Sequence, residues 1–112
     1  MDNTTNNVAE QFIQYLNEEN FDGAKSCLDP EFKFTGVLGS RETASVYMED
    51  MKKMKFKYRI LQTFTAGEDV CFWYDIDMGE KNIPASGWYQ VRDGKIRSLK
   101  VLFDPRPLLE NQ

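Results

Sequence analysis

The sequence contains no histidine among its 112 residues. Histidine is the side chain that ordinarily titrates near neutral pH, so its absence excludes Ser-His-Asp and Cys-His nucleophilic sites and imidazole ligands for metals. Any proton transfer would need a carboxylate, a lysine or a tyrosine whose pKa is shifted. We therefore expect neither a bound metal nor a cofactor.

Cysteine and long apolar runs are also scarce. Cys27 and Cys71 fall in different predicted elements and lack the C-x-x-C spacing of metal or redox motifs, so we expect two buried, reduced thiols. No apolar run approaches membrane-spanning length, and the first seven residues lack the basic and apolar regions of a secretory signal. These features predict a soluble, cytoplasmic protein with one domain, residues 1–112, and no membrane partner.

The net charge of −4 opposes the phosphate neutralisation that drives nucleic-acid binding. One basic run interrupts the acidic balance, and it comprises Lys52, Lys53, Lys55, Lys57 and Arg59, interleaved with Phe56 and Tyr58. A platform for single-stranded nucleic acid would place cations beside stacking aromatics in this way. The alternation at the strand period favours a helix end followed by a strand with one basic, solvated side. We expect no nucleic-acid partner.

The last third of the chain predicts a β-hairpin. Two runs rich in aromatic and β-branched residues flank Asp93-Gly94, a dipeptide that accepts the two positive φ angles of a type I′ turn. Upstream, residues 56–64 and 70–77 alternate as strands, and residues 31–35 form a shorter one. The residues placed on the covered face of the long strands are Phe56, Tyr58, Ile60, Phe64, Val70, Phe72, Tyr74 and Ile76.

Three segments have helical spacing, and each follows a residue that favours an N-cap. Asn7 is the predicted cap of the first helix, Asn20 of the second and Ser40 of the third. The apolar stripes of the first and third helices comprise Val8, Phe12, Tyr15, Leu16, Ala44, Tyr47, Met48 and Met51. The order of elements predicts an α+β fold, in which a cone-shaped, curved antiparallel sheet wraps around three helices.

The covered faces define a candidate cavity lined by aromatic side chains. The predicted lining, and hence the predicted ligand-binding site, is Phe12, Tyr15, Phe34, Tyr47, Met51, Tyr74, Tyr89 and Phe103. These rings either line an open cavity or simply fill the core. The convex face of the sheet would expose Trp73, Trp88 and Leu102, which predicts a homodimer through that face.

Asp75 and Asp77 are the carboxylates that most invite a catalytic interpretation, because an Asp-x-Asp pair on one strand shares a face. Their apolar neighbours occupy the covered side, so we expect both aspartates to point to solvent. A one-residue bulge beyond Tyr74 would reverse this assignment. Asp104 precedes a proline and is interpreted as a turn former.

The arrangement resembles the nuclear-transport-factor-2-like superfamily, and within it the SnoaL-like and ketosteroid-isomerase-like small proteins. The likeness is carried by residues 9–17 with 21–24, by Gly39-Ser-Arg-Glu42, and by residues 87–96 running into 102–105. The resemblance implies the cone-shaped fold, which hosts isomerases, cyclases, dehydratases, binding proteins and association domains.

The resemblance also implies which catalytic groups are missing. In the isomerase branch a tyrosine and an aspartic acid form the oxyanion hole, and a second aspartate moves the proton. Matching positions place Phe12 at the tyrosine, Gly36 at the base and Gly87 at the acidic donor. The SnoaL-like cyclases use carboxylate and histidine groups inside the cone, and histidine is absent here.

Three functions remain open on the sequence alone. The favoured hypothesis is a homodimeric protein that binds a small apolar or aromatic ligand, with no reaction assigned. The second is an isomerase, cyclase or dehydratase acting on a small polycyclic or polyketide-like substrate through tyrosines or a displaced aspartate. The third is a homo-association module whose convex sheet is the functional surface.

Overall fold

A computed structural model describes the backbone of residues 4–109 and the side chains of residues 8–107. The helices are α1 Thr4–Asn17, α2 Phe21–Ser26, α3 Ala44–Met54 and the single turn α4 Arg106–Leu109. The strands are β1 Leu28–Gly36, β2 Gly39–Glu42, β3 Lys57–Ala66, β4 Asp69–Asp77, β5 Asn82–Arg92 and β6 Lys95–Phe103. Of the predicted C-terminal tail, residues 110–112 lie outside the described part of the chain. None of the described helices is long and apolar enough to cross a membrane.

The six strands form one curved sheet in the order β2-β1-β6-β5-β4-β3. The α+β class and the meander of β3 to β6 are confirmed. The sheet is mixed rather than wholly antiparallel, because β1 pairs in parallel with β6. Pro30 is tolerated inside β1 because the register breaks between Leu28 and Lys33, where a ladder donor is not required.

Two of the three predicted helix caps are wrong. Helix α1 begins at Thr4, so Asn7 lies inside the helix. Ser40 lies in β2, an added edge strand that turns back along β1 from Gly39. Thr43 caps α3 instead, since its side-chain oxygen accepts a hydrogen bond from Val46 N at 3.3 Å. The Asn20 cap of α2 is confirmed by its bond from Gly23 N.

Strand β3 changes sides part-way along its length. Its register against β4 shifts between Ile60 and Gln62, so the even-numbered residues face inward only before that bulge. Phe64, predicted on the covered face, is 55% exposed, and Thr63 takes the inward position opposite Phe72. Even spacing alone could not reveal the extra residue.

The predicted hairpin turn and the sidedness of β4 are confirmed. Asp93 and Gly94 have φ angles of 55° and 76°, as the hairpin turn requires. Val70, Phe72, Tyr74 and Ile76 of β4 are buried against the helices, which places Asp75 and Asp77 on the outer face. Both cysteines are free thiols, but Cys71 is only partly buried because it also faces outward.

Candidate ligand-binding site

A cavity of about 230 Å³ lies between the β1–β2 hairpin, α3 and the inner face of the sheet. Its walls are mostly apolar, and they include Phe34, Met51, Phe56, Ile76, Leu99 and Phe103. Three tyrosine side chains also line the cavity, and these are Tyr47, Tyr58 and Tyr74. Its mouth is bordered by exposed or half-exposed residues, namely Val37, Leu38, Arg41, Asp50 and Met54.

Five of the eight residues predicted to bind a ligand line this cavity: Phe34, Tyr47, Met51, Tyr74 and Phe103. The other three lie outside its walls. Phe12 is buried and meets the Tyr89 ring edge-on at 6.3 Å between centroids. Tyr15 packs against Gly23, and its hydroxyl accepts a hydrogen bond from Gln11. Because α1 lies directly on the sheet, side chains fill that end of the structure.

Tyr74 and Tyr89 share a hydrogen bond of 2.9 Å between their buried hydroxyls. The ring of Tyr58 lies 5.2 Å from that of Tyr74. Among the residues that the structure describes, the hydroxyls of Tyr47 and Tyr58 have no hydrogen-bond partner. Tyr47 is buried and Tyr58 is partly buried. Leaving such a hydroxyl without a hydrogen bond is costly, so both can bond to a molecule that enters the cavity.

The four tyrosines of this cluster, Tyr47, Tyr58, Tyr74 and Tyr89, have strongly raised pKa values. Burial is the main cause of each raised pKa, since a phenolate would lose its hydration. Repulsion from neighbouring phenolates raises the pKa of Tyr47, Tyr58 and Tyr89 further, whereas the hydrogen bond with Tyr89 partly lowers the pKa of Tyr74. Their phenols therefore stay neutral at physiological pH and can each donate a hydrogen bond.

Gly87 makes room for the tyrosine pair. A Cβ atom at this position would overlap the Tyr74 hydroxyl and lie 3.0 Å from the Tyr89 ring. The position that the resemblance assigns to an acidic oxyanion donor is thus occupied by a phenol from the neighbouring strand. Similarly, a Cβ atom at Gly36, the matched position of the base, would lie 2.8 Å from the Phe34 ring.

Arg41 and Asp50 form an ion pair at the mouth, with Arg41 Nε 2.6 Å from Asp50 Oδ2. Sequence reasoning missed both residues. Asp50 follows Tyr47 by three positions on α3 and therefore shares its face, which was a usable signal. No sequence pattern indicated Arg41 as a site residue, because it is placed at the cavity by β2, a strand that the sequence did not predict. Within the described part of the chain, these are the charged side chains that line the cavity.

The carboxylates singled out from the sequence lie elsewhere. Asp75 pairs with Arg59 at 3.2 Å on the outer face of the sheet. Asp77 is exposed and accepts a hydrogen bond from Gly79 N. Asp104 accepts one from Arg106 N, as expected of a turn former. None of the three lines the cavity.

The outer face of the sheet carries a second group of exposed apolar side chains. Trp88 is held in place there, because Asp69 accepts its indole N–H at 2.9 Å and Lys100 lies 4.9 Å from its ring. Strand register places Phe64, Cys71, Trp88 and Lys100 in one cross-strand row, and Gln62, Trp73, Ser86 and Leu102 in the next. These two rows form one continuous patch, which we call the outer patch.

The comparison with family models decides the family. The model for the SnoaL-like domain matches residues 9–99. The chain belongs to the SnoaL-like domain family. This confirms the resemblance inferred from the sequence, and the family description specifies no reaction. No curated protein matched the chain.

Solved structures place this SnoaL-like domain among proteins of the same fold. An NTF2-like protein of unknown function from Cytophaga hutchinsonii is 50% identical, with a TM-score of 0.94 over 97% of each chain. An LEH-like epoxide hydrolase from M. tuberculosis is 18% identical, with a TM-score of 0.81 over 96% of this chain and 87% of that one. A protein of unknown function with a cystatin-like fold from Methylobium petroleophilum is 12% identical, with a TM-score of 0.80 over 89% and 75%. The last two similarities concern the fold alone.

Proposed function

We propose that this protein binds a small, largely apolar molecule in the cavity between the β1–β2 hairpin, α3 and the sheet. The observation that carries the proposal is an apolar cavity of about 230 Å³ lined by Tyr47 and Tyr58, whose hydroxyls have no hydrogen-bond partner among the residues that the structure describes. An engineered apolar cavity of about 150 Å³ holds benzene. The larger volume here suits a substituted ring or two fused rings.

The tyrosine phenols determine which polar group the ligand should carry. Because they are neutral and buried, they donate hydrogen bonds to an oxygen of the ligand and do not attract a cation. A carbonyl oxygen at the inner end of the molecule would accept hydrogen bonds from the Tyr47 and Tyr58 hydroxyls, which lack a partner in the described part of the chain. Such a bond contributes about 1 kcal/mol, so shape and apolar contact would supply most of the affinity.

Binding of 2-acetylnaphthalene, followed by calorimetry and by NMR shifts, tests the proposal. Met54 is 45% exposed at the mouth, so Met54→Trp narrows the entrance with little risk to folding. Val46→Trp is the matched control, because Val46 is 47% exposed on the same helix and does not line the cavity. We expect Met54→Trp to weaken binding roughly tenfold and Val46→Trp to leave it unchanged. Absence of binding, or equal binding by both variants, would refute the proposal.

No reaction is part of this proposal. The enzymatic hypothesis relied on Asp75, Asp77 or Asp104 reaching the interior, and these lie outside the cavity walls. Asp50 does reach the mouth, but its carboxylate is engaged by Arg41. A carboxylate in that ion pair is oriented for holding the guanidinium.

We also propose that two copies associate through the outer patch. Its support is the size and continuity of the exposed apolar surface on Phe64, Trp73, Trp88 and Leu102. Trp88 is already fixed by Asp69 and Lys100, so little side-chain entropy is lost when a second copy covers it.

We also propose a cytoplasmic location for the protein, since both cysteines are free thiols.

A further inference from the structure

We infer that the ligand of this cavity carries a carboxylate, and that Arg41 binds it at the mouth. The inference rests on the proposed function and adds the chemical class of the ligand: an aryl or alicyclic carboxylic acid with its ring inside and its acid group outside. Arg41 and Asp50 border an otherwise apolar mouth, 48% and 34% exposed respectively. A group placed there meets both protein and solvent.

The hydrogen bonds of Arg41 leave one part of its guanidinium open. Nε donates to Asp50 Oδ2, and Nη1 donates to the Ser40 carbonyl at 2.8 Å. Nη2 makes no hydrogen bond to any residue in the described part of the chain. Because the guanidinium is planar and held at two of its nitrogens, the remaining edge is presented in a fixed direction. Such an edge is suited to a carboxylate.

The ion pair with Asp50 does not prevent Arg41 from binding a carboxylate. Its carboxylate occupies the Nε side, so it orients the guanidinium and leaves the Nη2 side free. Glu42, the next residue of β2, points to the opposite side of the strand from Arg41. Phe34, the cross-strand partner of Arg41, is itself part of the cavity wall, which places the guanidinium on the cavity side of the hairpin.

The local charge favours an anion over a cation despite the acidic chain. Lys55 stands between Met54 and Phe56, both of which line the cavity. Neither Lys53 nor Lys55 forms an ion pair with any residue that the structure describes. Both cations lie at the end of α3, and Lys55 is also close enough to Glu19 to lower the pKa of that carboxyl. Arg41 is more accessible than Asp50, so the exposed charge at the mouth is mainly positive.

The test compares 2-naphthoate with 2-naphthamide, which has nearly the same shape and no charge. At neutral pH and low salt we expect the wild-type protein to bind the acid roughly tenfold more tightly, as one charge-assisted hydrogen-bonded contact would give. Arg41→Gln should abolish the preference, because the affinity for the acid should fall much further than the affinity for 2-naphthamide. Arg59→Gln is the matched control, because Arg59 also pairs with an aspartate but lies outside the cavity, and it should keep the preference.

The outcomes separate this inference from the function on which it rests. If 2-naphthamide and 2-acetylnaphthalene bind but the acid has no advantage, the carboxylate inference is wrong and the binding function stands. A preference that survives Arg41→Gln, or tighter binding of 2-naphthylmethylamine, would equally overturn the role of Arg41. If none of the naphthalene probes binds, the proposed function itself fails and the inference falls with it.

Discussion

The side-chain amide of Asn17 forms two hydrogen bonds with the backbone of Tyr58. Nδ2 donates to Tyr58 O at 2.9 Å, and Oδ1 accepts from Tyr58 N at 2.7 Å. Asn17 is the last residue of α1, and β3 is an edge strand, so the amide takes the place of a neighbouring strand at this point. It thereby fixes the backbone of a tyrosine that lines the cavity.

Replacing Asn17 should therefore loosen both the edge strand and the cavity. We expect Asn17→Ala to lower the free energy of unfolding by about 1–2 kcal/mol, measured by urea denaturation, because two backbone groups lose their partner at a partly solvated site. Asn17→Asp keeps only the hydrogen-bond acceptor, so its free energy of unfolding should lie between those of the wild-type protein and Asn17→Ala. Gln14→Ala, which removes one exposed contact with Glu18, is the control. Equal stability of Asn17→Ala and Gln14→Ala would contradict the proposed clamp.

Gly87→Ala should be destabilising by about 1–3 kcal/mol, because its methyl group collides with the Tyr74 hydroxyl. The cause can be isolated by a double-mutant cycle. In a Tyr74→Phe background the hydroxyl is gone, so the same glycine substitution should cost clearly less. Additive costs would show that the Tyr74 hydroxyl is not the group with which the new methyl collides.

Alkaline pH should unfold the protein steeply. Below pH of about 10 the phenols are neutral in both states; above it the unfolded chain ionises, while the buried tyrosines, whose folded pKa values are raised, do not. Stability is therefore lost as pH rises, by up to about 1.4 kcal/mol per pH unit for each buried phenol. Phenolate absorbance should rise together with the loss of circular dichroism, and Tyr74→Phe should flatten the slope. Ionisation of these tyrosines in the folded protein would argue against their burial.

Tyr47→Phe should separate the contribution of the Tyr47 hydroxyl to ligand binding from that of its ring. The variant removes a buried hydroxyl that has no partner in the described structure, so stability should stay equal or rise. Affinity for 2-acetylnaphthalene should fall roughly fivefold, in line with one lost hydrogen bond. Tyr15→Phe is the control because Tyr15 lies outside the cavity walls. An unchanged affinity would place the ligand oxygen away from Tyr47.

Sedimentation velocity tests association through the outer patch. We expect a dimer for the wild-type protein and a monomer for Trp73→Arg, since a cation in the centre of an apolar interface would be desolvated without a partner. Val46→Arg places the same charge at an equally exposed position on α3 and should remain dimeric. A wild-type monomer at micromolar concentration would disprove the dimer.

The predictable parts of the fold are those with strong periodicity. The stripe of Ala44, Tyr47, Met48 and Met51 is buried as expected, and β4 separates inner rings from outer acids. By contrast, every residue of β2 is exposed, so Gly39–Glu42 carries no alternation to read. The bulge in β3 could not be predicted from the sequence either, because one extra residue does not visibly disturb the alternation of an apolar strand.

The candidate site was predictable to the extent that it depends on inward-facing rings. Its aromatic wall follows from periodicity, whereas the mouth depends on how separate elements meet. Arg41 and Asp50 are nine residues apart and come together only because the β1–β2 hairpin folds back against α3. The exclusion of Phe12 and Tyr15 likewise reflects where α1 sits on the sheet, which their spacing does not encode.

The parallel pairing of β1 with β6 has a consequence for synthesis of the chain. Within the sheet, β1 and β2 are attached to the remaining strands only through β6. A nascent polypeptide can form the β3-to-β5 meander early, but the wall carrying Phe34 and Arg41 cannot join the rest of the sheet until residues 95–103 have left the ribosome. Contacts between such distant segments slow folding. Ligand binding should accordingly be among the last properties that the newly made protein acquires.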